Sequence, residues 1–210
     1  MFYSQYGQDK WVFENCFNNK LSGTFLEVGA DDGVDKSNTL FFEKEMGWTG
    51  LCIEPSPVRF KLLENNRECI CENIAVSDFT GEAEFLDIEG WGKGLSGLVE
   101  KYCENHKRRI NQELSHSENK GSSVIKVKVD NLQTVLERNN LSTIDFCTID
   151  TEGGELEILK TLDFNKTKIH ILCVENNYNN PEVRDFLENK GYVLIKRIKI
   201  DEIYERQQDC

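Results

Sequence analysis

Short β-rich runs that alternate with helical patterns constrain this chain more than any other feature. The runs cover 24–29, 50–54, 70–76, 144–150 and 168–175, while 38–46, 57–66, 155–162 and 181–190 carry apolar residues three or four apart. Strands joined through helices pair in parallel, so the alternation predicts βαβ units and an α/β, doubly wound, mostly parallel sheet. Two further runs, 82–88 and 124–129, alternate apolar and polar residues as a half-exposed antiparallel pair does, and 192–200 predicts an antiparallel hairpin at the far edge. The stretch 89–123 breaks the pattern. Gly90, Gly92, Gly94 and Gly97 crowd together before a charged segment and Lys120-Gly121-Ser122-Ser123, which predicts an inserted lid on flexible hinges. No linker interrupts residues 1–210, so a single domain is expected.

Charge and composition narrow the partners. With 25 Lys plus Arg against 37 Asp plus Glu, the formal charge of −12 repels phosphate backbones, and no nucleic acid partner is expected. The apolar runs are far shorter than the roughly 20 residues that cross a bilayer, so no membrane span is expected. The first residues, Met1-Phe2-Tyr3-Ser4-Gln5, lack the basic and long apolar regions of a secretory signal, which points to a cytoplasmic location. The eight cysteines form no CxxC and no zinc spacing with the three histidines. Cys52, Cys147 and Cys173 sit in apolar stretches and read as reduced core residues; Cys69 and Cys71 are close enough for a strained local pair, but free thiols are the expectation.

The segment Phe25-Leu26-Glu27-Val28-Gly29-Ala30-Asp31-Asp32-Gly33 is an apolar strand entering a glycine-bounded turn. Such a turn at the carboxyl end of the first strand is where doubly wound sheets bind nucleotides. Leu51-Cys52-Ile53-Glu54 ends the second strand with a carboxylate suited to the two hydroxyls of a ribose. The turn reads G-x-x-x-G, not G-x-G-x-x-G, and Asp31 and Asp32 would repel a pyrophosphate. S-adenosylmethionine carries a ribose, no phosphate, and cationic ammonium and sulfonium groups, so an acidic loop complements it. An ordinary turn with solvated acids is the alternative for Asp31-Asp32-Gly33 taken alone.

The runs Ser4-Gln5-Tyr6-Gly7-Gln8-Asp9, Phe25 to Gly33, Ser37-Asn38-Thr39, Gly47-Trp48-x-Gly50-Leu51-Cys52-Ile53-Glu54-Pro55 and Ile149-Asp150-Thr151-Glu152-Gly153-Gly154-Glu155 resemble the FkbM family of S-adenosylmethionine-dependent methyltransferases. The resemblance runs from Ser4 to about Glu175, with the motifs in family order. It implies a class I, Rossmann-like methyltransferase fold and O-methylation, commonly of a sugar hydroxyl on a glycan or nucleotide-linked sugar. It further implies cofactor contacts from Glu27, Gly29, Ala30, Asp32 and Gly33 around the amino-acid half, and from Ser37 and Asn38 near its carboxylate. Glu54 would hold the ribose, Pro55 and Ser56 would flank the adenine, and Asn73 to Val76, Ala75 among them, would close the pocket. The N-terminal segment 1–23 would fold over the cofactor. Ser96 resembles the family's serine-containing segment and would line the acceptor pocket, where Trp91 would stack on a sugar ring or pack the lid.

Methyl transfer to an alcohol needs in-line alignment and a base for the alcohol proton. Asp150 and Glu152 alternate onto one side of the fourth strand's end, and Val174-Glu175-Asn176-Asn177 ends the fifth. Asp150, Glu152 and Glu175 are therefore expected to converge beside Asn176, with Asp150 also near the cofactor and Glu152 as the preferred base. Such a cluster either holds sugar hydroxyls around a raised-pKa base or binds a hard cation such as Mg²⁺, with Asp150, Glu175 and Asn176 as ligands. Helix capping for Asp150 and Glu152, and a solvated strand end for Glu175, are the alternatives; Glu155 and Glu157 are left to the helix N-terminus. His170 reads as a core residue. His106 heads the basic run His106-Lys107-Arg108-Arg109, suited to an anionic acceptor group or, for His106, to a base, against an ordinary solvated helix face. His116 carries no signal. The other functional readings are an NAD(P)-dependent oxidoreductase or epimerase on a similar sheet, which lacks its glycine motif and any Tyr-x-x-x-Lys here, and a non-catalytic binding module.

Overall fold

The computed structural model describes residues 1–18, 20–115 and 119–207; His116 and Cys210 lie outside them. Along the chain, α1 (Gln8–Val12) leads to β1 (Thr24–Val28), α2 (Leu40–Met46), β2 (Thr49–Ile53), α3 (Pro57–Asn66) and β3 (Ile70–Glu72). Then come β4 (Ala75–Val76), β5 (Gly81–Gly90), β6 (Gly97–Leu98), α4 (Glu104–Leu114) and β7 (Asn119–Asp130). The chain continues through α5 (Leu132–Arg138), β8 (Thr143–Ile149), α6 (Glu155–Lys160), β9 (Lys168–Glu175), α7 (Pro181–Glu188), β10 (Tyr192–Ile198) and β11 (Asp201–Arg206).

Seven strands form the main sheet in the order β10-β11-β9-β8-β1-β2-β3. The five from β9 to β3 are parallel, and β11 and β10 add antiparallel at the edge. Phe25 to Val28, Gly50 to Ile53 and Phe146 to Ile149 are all buried, as strands covered on both faces must be. One core, around Leu26, Leu51, Leu136 and Leu159, fills one side; the other gathers Phe25, Phe42, Trp48 and Phe146. Because β1 lies between β2 and β8, the chain builds outward first one way and then the other. The connections that leave the carboxyl ends of β1 and β8 therefore part to opposite sides of the sheet, and the crevice between them is the usual ligand position in such a sheet.

Local sequence explains the helix ends nearest that crevice. Ser56 caps α3 by accepting the Arg59 N–H, with Pro57 in the first turn, and Gly47 ends α2 with φ 68. The strand expected over 70–76 divides, because after β3 the chain leaves the main sheet and β4 pairs with β7 in a second sheet, β4-β7-β5-β6. The segment 89–123 also differs from the expected hinged lid. Gly90 and Gly121 are paired within the β5–β7 ladder, opposite Asn119 and Glu89, and Ile88, Leu95, Tyr102 and Ile110 make a small core of their own. Among the described residues, no helix is long and apolar enough to cross a membrane.

Candidate active site

The ends of β1, β2 and β8 open onto a cleft of about 1020 Å³, part of it open to solvent. Gly29 has φ 86, and a Cβ there would lie 1.8 Å from the Asp150 carbonyl oxygen, so glycine alone lets the ends of β1 and β8 meet this closely. The Gly29 and Ala30 N–H groups donate to the Ile53 carbonyl, and the Asp31 N–H donates to Glu54 Oε2 at 2.9 Å. With these amides engaged and α2 starting only at Leu40, the turn has no helix N-terminus to offer a pyrophosphate. Glu54 Oε1 accepts from the Ser56 N–H at 2.8 Å; each carboxylate oxygen keeps a further acceptor site, and Glu54 lines the cleft. Burial pushes the Glu54 carboxyl up to about 7 against the opposing charge of Arg59.

Glu27 is the centre of a buried polar knot. Its carboxylate accepts from Ser37 Oγ at 2.8 Å, the Asn38 N–H at 2.7 Å, Thr39 Oγ1 at 2.7 Å and the Arg67 guanidinium at 3.0 Å. Arg67, fully buried, also pairs with Glu43, so two carboxylates and several hydroxyls compensate one desolvated cation. The knot fixes residues 37–39 against β1. Asn38 Nδ2 donates to Thr148 Oγ1 at 3.1 Å, while Asn38 Oδ1 is buried and has no hydrogen-bond partner among the described residues. A donor on a ligand in the cleft, such as an ammonium group, would satisfy it. The loop acids differ from expectation: Asp31, Asp35 and Asp32 surround Lys93 Nζ at 2.7, 3.1 and 3.9 Å, so Lys93 takes up much of the charge expected to face a cationic ligand.

At the far end of the cleft the turn from β8 to α6 places Glu152 at φ 57, followed by Gly153 at 130° and Gly154 at 94°. A non-glycine residue in that region costs on the order of 1 kcal/mol, and such residues cluster at functional sites. One oxygen from each of Asp150, Glu152 and Glu175 lies within 4.8 Å of the other two. Burial, then the Asp201 and Glu155 charges, push Asp150 up to about 7; burial and Asp150 push Glu152 up to about 8, with Arg109 opposing. Glu175 is held well above the carboxylate range, by burial first and then by Asp150 and Glu152. A second cavity of about 830 Å³, also partly open to solvent, lies beyond, and Glu152 and Gly153 line both. Over it α4 supplies Arg109, whose guanidinium is 3.3 Å from Glu152 Oε2, and buried His106, whose Nδ1 is 3.7 Å from the same oxygen. Asn177 Nδ2 donates to Glu152 Oε2 at 3.2 Å.

The sequence profile of the methyltransferase FkbM domain matches residues 27–194, most of the chain. The chain belongs to the FkbM methyltransferase family. A solved FkbM methyltransferase from Methylobacillus flagellatus superposes with a TM-score of 0.53 at 12% identity, over 88% of this chain and 43% of that one. This chain thus spans less than half the length of that relative. A TehB-like SAM-dependent methyltransferase from Corynebacterium glutamicum superposes with a TM-score of 0.50 at 8% identity, over 97% of this chain and 89% of that one. These identities speak for the fold, the class I methyltransferase α/β sheet. No curated protein matches in sequence.

In this FkbM domain, Glu27, Gly29, Ala30, Ser37 and Asn38 line the first cleft, as do Glu54, Pro55, Ala75, Ser96, Asp150 and Glu152. Asp32, Gly33, Ser56 and Asn73 do not appear in the lining and shape it from behind. Asp32 Oδ1 accepts the Val34 and Asp35 N–H groups, Gly33 backs onto Leu63 and Arg67, Ser56 Oγ donates to Asp87, and Asn73 Nδ2 holds the Glu54 and Pro55 carbonyls. His106, Glu175 and Asn176 line the second cavity. The close carboxylate set is Asp150, Glu152 and Glu175, and Asn176 lines the second cavity with Glu152 and Glu175, its Oδ1 accepting the Asn180 N–H at 2.7 Å. Ser96 lines the first cleft and not the second cavity, its Oγ accepting from the Ile88 N–H, and Trp91 is 61% exposed and lines neither cavity.

The basic run is dispersed: Lys107 pairs with Glu104, His106 is buried and stacked on Tyr102, and Arg109 turns to Glu152. His170 is not in the core; it is half-exposed on β9, 3.8 Å from Glu205. Among the described residues, 1–23 contribute no lining to the cleft; Ser4 forms a backbone bridge with Lys36, which does line it, and Gln8 donates to Asp201 at 2.6 Å. Sequence reasoning missed Arg59, Arg67, Lys93 and Asp201. Their roles depend on long-range placement, and only the register of β11 on β9, with Asp201 opposite Glu175, brings the fourth acid to the cluster.

Proposed function

We propose that this domain transfers a methyl group from S-adenosylmethionine to a hydroxyl of a carbohydrate, with Glu152 as the general base. The observation that carries the reading is the position of Glu152 on the wall common to the two cavities, buried and with its carboxyl raised to about 8. When bound, S-adenosylmethionine supplies an electrophilic methyl group. The unpartnered Asn38 Oδ1 and the backbone-held Glu54 carboxylate suit its ammonium and ribose groups. Glu54 orients the ribose; Asn38 and the 37–39 segment receive the amino-acid end. Glu152 accepts the acceptor's hydroxyl proton, and a carboxylate whose pKa lies near the working pH is matched to that task. Arg109 and Asn177 hold Glu152 toward the acceptor side.

Hydrogen-bonding amides and carboxylates around the second cavity favour a hydroxyl-rich acceptor. Because the basic run forms no joint cluster, a glycan hydroxyl is favoured over a sugar carrying a nucleotide diphosphate. The Asp150, Glu152 and Glu175 oxygens suit Mg²⁺ in type, but Arg109 already provides Glu152 with a cation, so proton transfer to Glu152 is the preferred chemistry. The test is transfer of labelled methyl to neutral glycans and to nucleotide sugars, by wild type and Glu152→Gln, with magnesium or chelator. Glycan methylation that survives chelation and is lost in Glu152→Gln supports the proposal. Turnover on nucleotide sugars alone, loss of turnover on chelation, or full activity in the variant overturns the corresponding part.

A further inference from the structure

We propose that Cys69 is an oxidant-sensitive thiol that closes a disulfide with Cys52, and that this bond loosens the cofactor cleft. Cys69 is half-buried between α3 and β3, and its Sγ lies 3.6 Å from that of Cys52, which is buried in β2 two residues before Glu54. Methyl transfer uses neither thiol. Cys71, close to Cys69 in sequence, sits opposite Cys52 in the β2–β3 register, and its Sγ donates to the Cys69 carbonyl at 3.6 Å. The close approach of the Cys52 sulfur first, then that of Cys71, and the Arg67 charge hold the Cys69 thiol below the ordinary thiol range, against the effect of burial. The thiolate is the reactive form.

With hydrogen peroxide as oxidant, the Cys69 thiolate attacks one peroxide oxygen, forming an S–O bond and releasing hydroxide. The Cys52 sulfur then attacks the resulting sulfenic acid: the S–S bond forms, the S–O bond breaks, and the hydroxyl leaves as water with the Cys52 proton. Two thiols and one peroxide thus become one disulfide and two waters. A disulfide needs its sulfurs about 2.05 Å apart, so the pair must close by about 1.5 Å. Cys52 is fixed in the sheet between β1 and β3, so the 67–69 connection moves. That connection carries Arg67, which holds Glu27 and Thr39, and the Glu68 and Cys69 N–H groups, which donate to Glu43. The effect on the cleft rests on its reading as an S-adenosylmethionine site; the thiol chemistry does not.

The test treats the folded protein with hydrogen peroxide, maps the cross-link by peptide mass spectrometry, and titrates S-adenosylhomocysteine before and after. A Cys52–Cys69 bridge, with the Kd raised at least about tenfold and restored by dithiothreitol, is the expected result. Cys71→Ser should keep the bridge and Cys69→Ser should lose it while binding like reduced wild type. A Cys69–Cys71 bridge, oxidation confined to Cys16 or Cys103, or a Cys52–Cys69 bridge with unchanged Kd would overturn the proposal. Failure of reduced wild type to bind S-adenosylhomocysteine would break the cofactor reading instead, and the cross-link map would still decide the thiol pair.

Discussion

Around the first cleft, most charged groups are paired within the protein, Glu27 with Arg67 and the 37–39 segment, Glu54 with two backbone amides, and Asp31 with Lys93, while Asn38 Oδ1 is left open. Where the two cavities meet, the Asp150, Glu152 and Glu175 carboxylates crowd together, and one half-exposed arginine faces Glu152. The first region is built to hold a ligand in a fixed shape. In the second, burial and mutual repulsion push the three carboxyls upward, and a buried acid near its pKa can exchange a proton at little cost. The proposed function puts binding and chemistry on different sides of Glu152.

Substitutions on the two sides should separate along that line. Glu152→Gln should lower the transfer rate by about 100-fold or more, the usual worth of a general base, while S-adenosylhomocysteine affinity stays within about threefold of wild type. Equal loss of binding would erase the division. Arg67→Met should act in the opposite sense: breaking a buried ion pair costs about 3–5 kcal/mol, so denaturant unfolding should show that loss and cofactor affinity should fall. Unchanged stability would mean that the knot around Glu27 holds without its cation.

The legibility of the two regions in sequence differs for physical reasons. The cofactor side is written in local patterns: an apolar strand, a glycine turn, and a carboxylate at the end of the next strand. The parallel core and Glu54 were therefore readable. The acid cluster was readable in part, since Asp150 and Glu152 follow one strand, but Asp201 reaches Glu175 only through the register of an edge strand. The insertion resisted reading. Gly121, Ser122 and Ser123 have poor strand propensity, yet they extend because Glu89, Ile88 and Asp87 of β5 pair with them. The dispersal of the basic run follows from helix geometry, which turns His106 and Arg109 inward and leaves Lys107 outward.

Smaller effects sharpen the picture on the acceptor side. Because Glu152 must be ionised to act, kcat/KM should rise with pH through about 8, and Arg109→Ala should move that limb upward by on the order of one pH unit. An unmoved limb would detach Arg109 from the base. Stability should show the same acids. Their folded pKa values lie above the unfolded ones, so between about pH 4.5, where the unfolded chain ionises, and about 8, where folded Glu152 does, the folded state binds more protons and loses stability as pH rises. The melting temperature should therefore fall from pH 6 to pH 8, less steeply in Glu152→Gln. Equal slopes would return Glu152 to an ordinary carboxylate.

The most direct test of the division is a calorimetric titration of S-adenosylhomocysteine into wild type and Glu152→Gln side by side. Micromolar binding of similar strength to both is the predicted result. No binding to wild type, or binding lost in Glu152→Gln alone, would contradict it.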